Sequence, residues 1–325
     1  MITFWFAVLV LAWVLYFVLE GFDFGVGMLM FTGRGEHERG AIVRTVGPFW
    51  DGNEVWLVAA VGVTFAAFPD WYAALMSALY LPMVAILLLL AVRGAALEFR
   101  GKHDSPVWRL RADILLSVSS AGIVLLWGAV LGILVDGLAL GPDGEVTGAG
   151  LGRSLGPLLT PAAGLGALAA LLAAVLLGAT FLALRTTGPV RRRARDIARH
   201  TGTFGAVALL LTGIGTGNRL ALAAAALVFV AGLQARRSRE GTSFAAVAVA
   251  VTTTVVAVFT VHGDVVLRST LDPAWSLTRT SAAAGPEALR LITVAGILIL
   301  PGVLLYQAWS YWVFRRRIAS ERVPS

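Results

Sequence analysis

The sequence predicts an all-α integral membrane protein of about nine transmembrane helices, with its N-terminus outside and its C-terminus cytoplasmic. Three observations predict it. Of the 325 residues, 58% are hydrophobic and only 14% are charged, whereas a soluble domain carries about 25% charged residues. Apolar runs of the length that crosses a hydrocarbon core about 30 Å thick recur from end to end. The basic residues stand in short clusters between those runs, so the formal net charge of +7 reads as membrane topology and not as a nucleic-acid surface. The chain contains no cysteine, which excludes disulfides, thiolate metal sites, iron–sulfur clusters and cysteine nucleophiles together.

The expected spans cover roughly 3–31, 47–69, 71–97, 113–139, 161–185, 201–216, 219–234, 243–263 and 288–314, within a single polytopic domain over 1–325. The first exceeds the 20 or so residues that a bilayer needs, so it should tilt or project. It lacks a basic leader and a small-residue cleavage site and reads as a retained helix, not a signal peptide. The sixth and seventh are short, and Gly213, Gly215, Gly217 and Asn218 should break the helical run between them. Gly141–Pro157, rich in glycine and proline, reads as an outer loop.

Charge decides the topology. Arg185, Arg191, Arg192, Arg193, Arg195 and Arg199 precede the short pair and Arg236, Arg237 and Arg239 follow it. Basic clusters stay cytoplasmic, which requires an even number of crossings between them, hence two short helices and not one span. Arg34, Arg39 and Arg44, then Arg93, Arg100, Lys102, Arg109 and Arg111, and finally Arg315, Arg316, Arg317 and Arg322 fall on the same side. Only Arg153, Arg219, Arg268, Arg279 and Arg290 fall outside, so 21 of the 26 basic residues obey the rule. Trp71 with Tyr72, and Trp309 with Tyr311 and Trp312, stand where interfacial aromatic belts are expected.

Against this apolar background the first two spans carry acids. Glu20 and Asp23, three apart, share one helix face in the cytoplasmic half of the first span; Asp51 and Glu54 repeat the spacing at the start of the second. A carboxylate at the bilayer centre costs about 2.5–3.5 kcal/mol on insertion scales and usually faces a bundle interior or water. The four groups can therefore line one cleft open to the cytoplasm and serve as proton-transfer candidates. Asp51 and Glu54 have a simpler alternative, capping the second helix. Glu20 and Asp23, with apolar residues on both sides, have one too, an ion pair or hydrogen bond inside the bundle. Glu98 is expected to pair with Arg93, Arg100 or a neighbour, and Asp113 and Asp136 to lie at the two interfaces. His37, His103, His200 and His262 fall in loops or at helix edges, so no pattern suggests a haem held by a histidine within a span, and no metal site is expected. Met28, Met30, Met76 and Met83 read as packing. No P-loop, zinc motif or Ser/His/Asp arrangement is present.

The runs Gly21-Phe22-Asp23-Phe24-Gly25-Val26-Gly27-Met28-Leu29, Trp50-Asp51-Gly52-Asn53-Glu54-Val55-Trp56-Leu57, Phe65-Ala66-Ala67-Phe68-Pro69 and Glu98-Phe99-Arg100 occur in this order. They closely resemble subunit II of the cytochrome bd quinol oxidases. Gly178-Ala179-Thr180 before Arg185-Thr186, and the final Tyr306-Gln307-Ala308-Trp309-Ser310-Tyr311-Trp312, resemble it as well. The likeness is strongest over residues 15–105 and in the last helix. It implies nine helices, a bacterial cytoplasmic membrane, and a partner subunit I that holds haems b and d, with none held here. It also implies quinol as substrate, lipid around the complex, a possible small single-helix subunit, and a route for cytoplasmic protons at the positions of Asp23 and Asp51. The direct join between the sixth and seventh helices departs from family members with a longer loop there, and a quinone in this subunit stays open. A secondary transporter or proton channel would use the same acids, but transporters commonly show broken helices at the midplane and internal repeats.

Overall fold

The computed structural model describes residues 1–216 and 219–320. Helix α1 spans Ile2–Met28 and ends in a 3-10 turn, Met30–Thr32; α2 is Gly35–Val46, α3 Trp50–Ala67, α4 Pro69–Ala78 and α5 Tyr80–Phe99. Then come α6 (Pro106–Asp136), α7 (Gly150–Leu155), α8 (Pro161–Arg185), α9 (Gly188–Thr216), α10 (Arg219–Arg236), α11 (Glu240–Thr260) and α12 (Pro286–Val313). One small antiparallel hairpin, β1 (Val265–Leu267) with β2 (Leu277–Thr278), lies between α11 and α12. Among the described residues α1, α5, α6, α8, α11 and α12 are each long and apolar enough to cross a membrane, and α3 with α4 makes a seventh if that pair is one span.

Local chemistry fixes several starts. Pro106 and Pro161 open α6 and α8, where a missing N–H costs nothing. The preceding Ser105 and Thr160 side chains accept the Trp108 and Ala163 amides. Three features were not anticipated. The first basic loop folds as α2, which buries Ala41, Ile42, Thr45 and Val46 along one side of an otherwise polar helix. The expected span 71–97 is two helices, because α4 stops at Leu79 and α5 starts at Tyr80; α4 itself is turned 120° from α3. The outer loop contains α7, and His37 and His200 lie within α2 and α9, not in loops. Helix α9 also continues through Gly213 and Gly215 to Thr216; Gly217, Asn218 and Arg322 lie outside the described residues.

Helix α8 is the hub, packing against α1, α6, α9 and α11. Glycine makes that possible. A Cβ added at Gly25 of α1 would sit 1.9 Å from the Ala174 carbonyl oxygen, and one at Gly178 of α8 would sit 2.3 Å from the Gly25 backbone. Near the start of α8, Gly166 meets Gly128 and Ala162 meets Gly132, both glycines on α6. Small residues in contact allow backbones to meet, the usual device where lipid removes the hydrophobic drive between helices.

The two ends of the bundle differ. At one end the arginine clusters gather and are joined by ion pairs: Arg100 to Asp113 and Glu36, Arg193 to Glu38, and Arg191 and Arg317 to the buried Glu240. Asp113 is therefore fully buried and doubly paired, with Arg39 3.3 Å away, and is not an exposed interfacial group as expected; two arginines, Arg39 of α2 and Arg100 just past the end of α5, converge on it. At the opposite end Arg279 lies over the Phe6 ring, 3.9 Å from its centroid, and Arg153 donates to Ser77. Trp13, Tyr16, Trp71, Trp127 and Phe259 fill the interior of that half with edge-on and stacked rings.

Candidate functional site

Near the basic end, α1 brings Glu20 and Asp23 into the bundle, both fully buried. At 1.5 Å per residue they lie roughly 12 and 7.5 Å before the helix end at Met28. Their i, i+3 spacing does put them together, and each acquires a separate partner. Arg93 from α5, also fully buried, places Nη1 3.5 Å from Glu20 Oε1 and 3.3 Å from Oε2. Its guanidinium lies over the Phe24 ring, 4.8 Å from the centroid, a cation–π contact that supports a cation out of water. Asn53 from α3 donates through Nδ2 to Asp23 Oδ2 at 2.7 Å. Its carbonyl oxygen accepts from Gln307 Nε2 at 2.8 Å and Tyr311 Oη at 2.7 Å, both on α12. Tyr311 is held in turn by stacking on Phe49, 4.5 Å between centroids and 11° between planes.

The four acids do not share one environment. Glu54 is half-buried, and Asp51, in the first turn of α3, is exposed. An acid there favours the helix dipole, although no side chain caps that terminus by hydrogen bonding. The series therefore runs from exposed Asp51 through half-buried Glu54 to buried Asp23 and Glu20. Glu98 is exposed and pairs with its neighbour Lys102 at 3.2 Å, while Arg93 and Arg100 pair elsewhere.

Charge is unequal in the buried set. Two buried carboxyl groups face one buried guanidinium, so one acid has no cation of its own. Among the described residues Asp23 Oδ1 has no hydrogen-bond partner, nor do Nε and Nη2 of Arg93. Such a site can hold and pass a proton, since a carboxyl group in a low-dielectric place exchanges charge by exchanging protons. Asn53, Gln307 and Tyr311 were not singled out as site residues. The available signal was a polar pair at i, i+4 in an otherwise apolar last helix. Among the described residues no cluster of His, Asp or Glu side chains could hold a metal ion, and none of the four histidines is buried.

The chain as a whole is similar to known proteins. The family described as "Cytochrome bd terminal oxidase subunit II" matches residues 1–314. "Cytochrome bd ubiquinol oxidase subunit 2" of Bacillus subtilis is 33% identical over 329 residues, covering 97% of this chain and 96% of the relative. "Cytochrome bd-I ubiquinol oxidase subunit 2" of Escherichia coli is 28% identical over 353 residues, covering 94% and 92%. The fold resembles a chain in the structure of the bd oxidase from Geobacillus thermodenitrificans, with a TM-score of 0.72 and 18% identity, covering 96% of this chain and 98% of that one. The chain belongs to the subunit II family of the cytochrome bd terminal oxidases.

Proposed function

We propose that this chain is the non-haem subunit of a quinol:dioxygen oxidoreductase in the bacterial cytoplasmic membrane, and that it brings cytoplasmic protons toward the site of dioxygen reduction. Haems b and d belong to a partner subunit I, which supplies the redox chemistry. The names of the relatives, ubiquinol oxidases, support quinol as the complex's substrate. The chain crosses the membrane nine times, N-terminus outside and C-terminus cytoplasmic. The gathering of the arginine clusters at one end of the bundle supports that orientation. Lipid surrounds the complex.

The observation that carries the proton role is the buried pair Glu20 and Asp23 with only Arg93 as cation. Asp51, exposed at the cytoplasmic end, takes a proton from water. Glu54 receives it one turn further in, and Asp23 holds it at Oδ1, which has no hydrogen-bond partner among the described residues. Glu20, paired to Arg93, keeps the cation in place. Dioxygen reduction to water consumes protons, so a blocked route slows turnover without removing haem.

The test is the pair Asp51→Asn and Asp23→Asn in the whole complex. Asparagine keeps size and hydrogen bonding but cannot exchange a proton at neutral pH. Assembly and haem content are expected to be normal and oxygen consumption per haem slowed. Full activity per haem in the double variant would leave this chain a scaffold.

A further inference from the structure

We infer that Tyr311 and Gln307 of α12 are positioning residues that fix which end of the Asn53 amide faces Asp23, and so keep Asp23 Oδ2 an acceptor and leave Oδ1 as the proton-exchanging atom. The inference rests on the relay reading above and concerns how that relay is kept from trapping its proton.

An asparagine amide has a carbonyl that only accepts and an NH2 that only donates. In Asn53, fully buried, two donors converge on the carbonyl, Gln307 Nε2 at 2.8 Å and Tyr311 Oη at 2.7 Å. The NH2 end is therefore turned to Asp23 Oδ2, 2.7 Å away. Rotating the amide by 180° would set its carbonyl against the carboxyl and its NH2 against both α12 donors. In that state Gln307 would have to turn its own amide and Tyr311 would have to accept, which leaves the Tyr311 O–H without an acceptor among the described residues. The Tyr311 ring is clamped flat on Phe49 and edge-on to Phe22, and Gln307, one turn earlier, shares its helix face. An NH2 donor at Oδ2 favours the ionised carboxylate over a proton resting on that oxygen. A proton arriving at Asp23 thus has only the unpartnered Oδ1 to occupy.

The charged groups facing Asp23 are Glu20 on its own helix, Arg93 from α5 and Glu54 from α3; α12 contributes Tyr311, and α8 contributes no charge at its contact through Leu177 and Gly178. None of the charged groups Glu20, Arg93 and Glu54 is altered by removing the two α12 donors, so the amide's orientation can be tested separately from local charge.

The experiment uses the intact oxidase complex purified through this chain, labelled with carboxyl-13C aspartate, and isotope-edited infrared spectroscopy of protonated carboxyl C=O bands. Asp23→Asn identifies the Asp23 band. In Tyr311→Phe with Gln307→Met the amide is free to turn its carbonyl to a protonated Asp23. The Asp23 band is expected to grow at constant pH and oxygen consumption per haem to fall several-fold. Tyr311→Phe alone keeps the ring on Phe49 and removes one donor, so a smaller change in the same direction is expected even if the double variant assembles poorly. An Asp23 band unchanged in Tyr311→Phe, and in the double variant wherever it assembles, overturns the inference. The relay reading fails on a different result, full oxygen consumption in Asp23→Asn, so the two are told apart.

Discussion

A guanidinium wholly removed from water is stable only while its carboxylate stays beside it. Removing one partner of a buried pair costs about 3–5 kcal/mol, whereas replacing both with well-packed neutral groups is often neutral. Arg93→Met is therefore expected to lower the thermal stability of the complex in detergent by that order, and Arg93→Met with Glu20→Gln to recover most of the loss. A double variant as unstable as the single one would mean that the pair is not what Arg93 supports. The two aspartates should differ in degree. Water can bypass exposed Asp51, so Asp51→Asn is expected to slow oxygen consumption less than Asp23→Asn; a tenfold loss at Asp23 corresponds to about 1.4 kcal/mol on the limiting barrier. Glu20 and Asp23 were legible in the sequence because acids in an apolar run have few places to go. The partner of Arg93 was not. Glu98 is only five residues away, but five residues turn an α-helix by roughly 140°, so Arg93 faces α1 while Glu98 faces outward to Lys102.

At the scale of helices, backbone contact through glycine decides the packing. Gly25→Leu or Gly178→Leu would force α1 and α8 apart where an added Cβ already falls within 3 Å of main-chain atoms, and is expected to abolish assembly, read as loss of co-purifying haem partner. Gly62→Ala and Gly164→Ala, where an added Cβ meets nothing within 4 Å, should leave it intact. The ends of the long helices follow from apolar length and capping chemistry, and the expected span 161–185 coincides with α8. Helix α2 escaped because its twelve residues bury only a stripe and no apolar run marks it. The boundary between α3 and α4 falls where the expected spans 47–69 and 71–97 meet, but the stop at Leu79 escaped because the residues around it, Ala78-Leu79-Tyr80-Leu81, carry no charge or glycine to mark a break. Gly25 and Gly178 were quoted only as motif letters; which glycine meets which is a fact of tertiary packing.

For the whole molecule, orientation is the property open to direct measurement. A reporter fused after Ser325 is expected to report cytoplasm and one inserted near Asp143 the outside; an outside signal at the C-terminus would reverse the proposed proton path. The isolated chain, reconstituted without its partner, is expected to show no stoichiometric haem in its optical spectrum. Helix α12 presents Leu291, Leu298, Leu305 and Trp309 to its surroundings and leans on the rest through α3. It nonetheless supplies Gln307 and Tyr311 to the centre of the site, so α12 is needed to complete what α1 begins.

The contact between Gly25 and Gly178 also has a consequence in time. About 150 residues separate the two, and ribosomes add roughly 5–20 residues each second. For some 8–30 seconds after α1 leaves the translocon, its groove has no occupant, and its two acids face lipid or the insertion machinery. Arg93 emerges within that interval and can neutralise Glu20, but the backbone seat stays vacant until α8 arrives. A nascent chain stalled between those points would display a polar, half-filled groove.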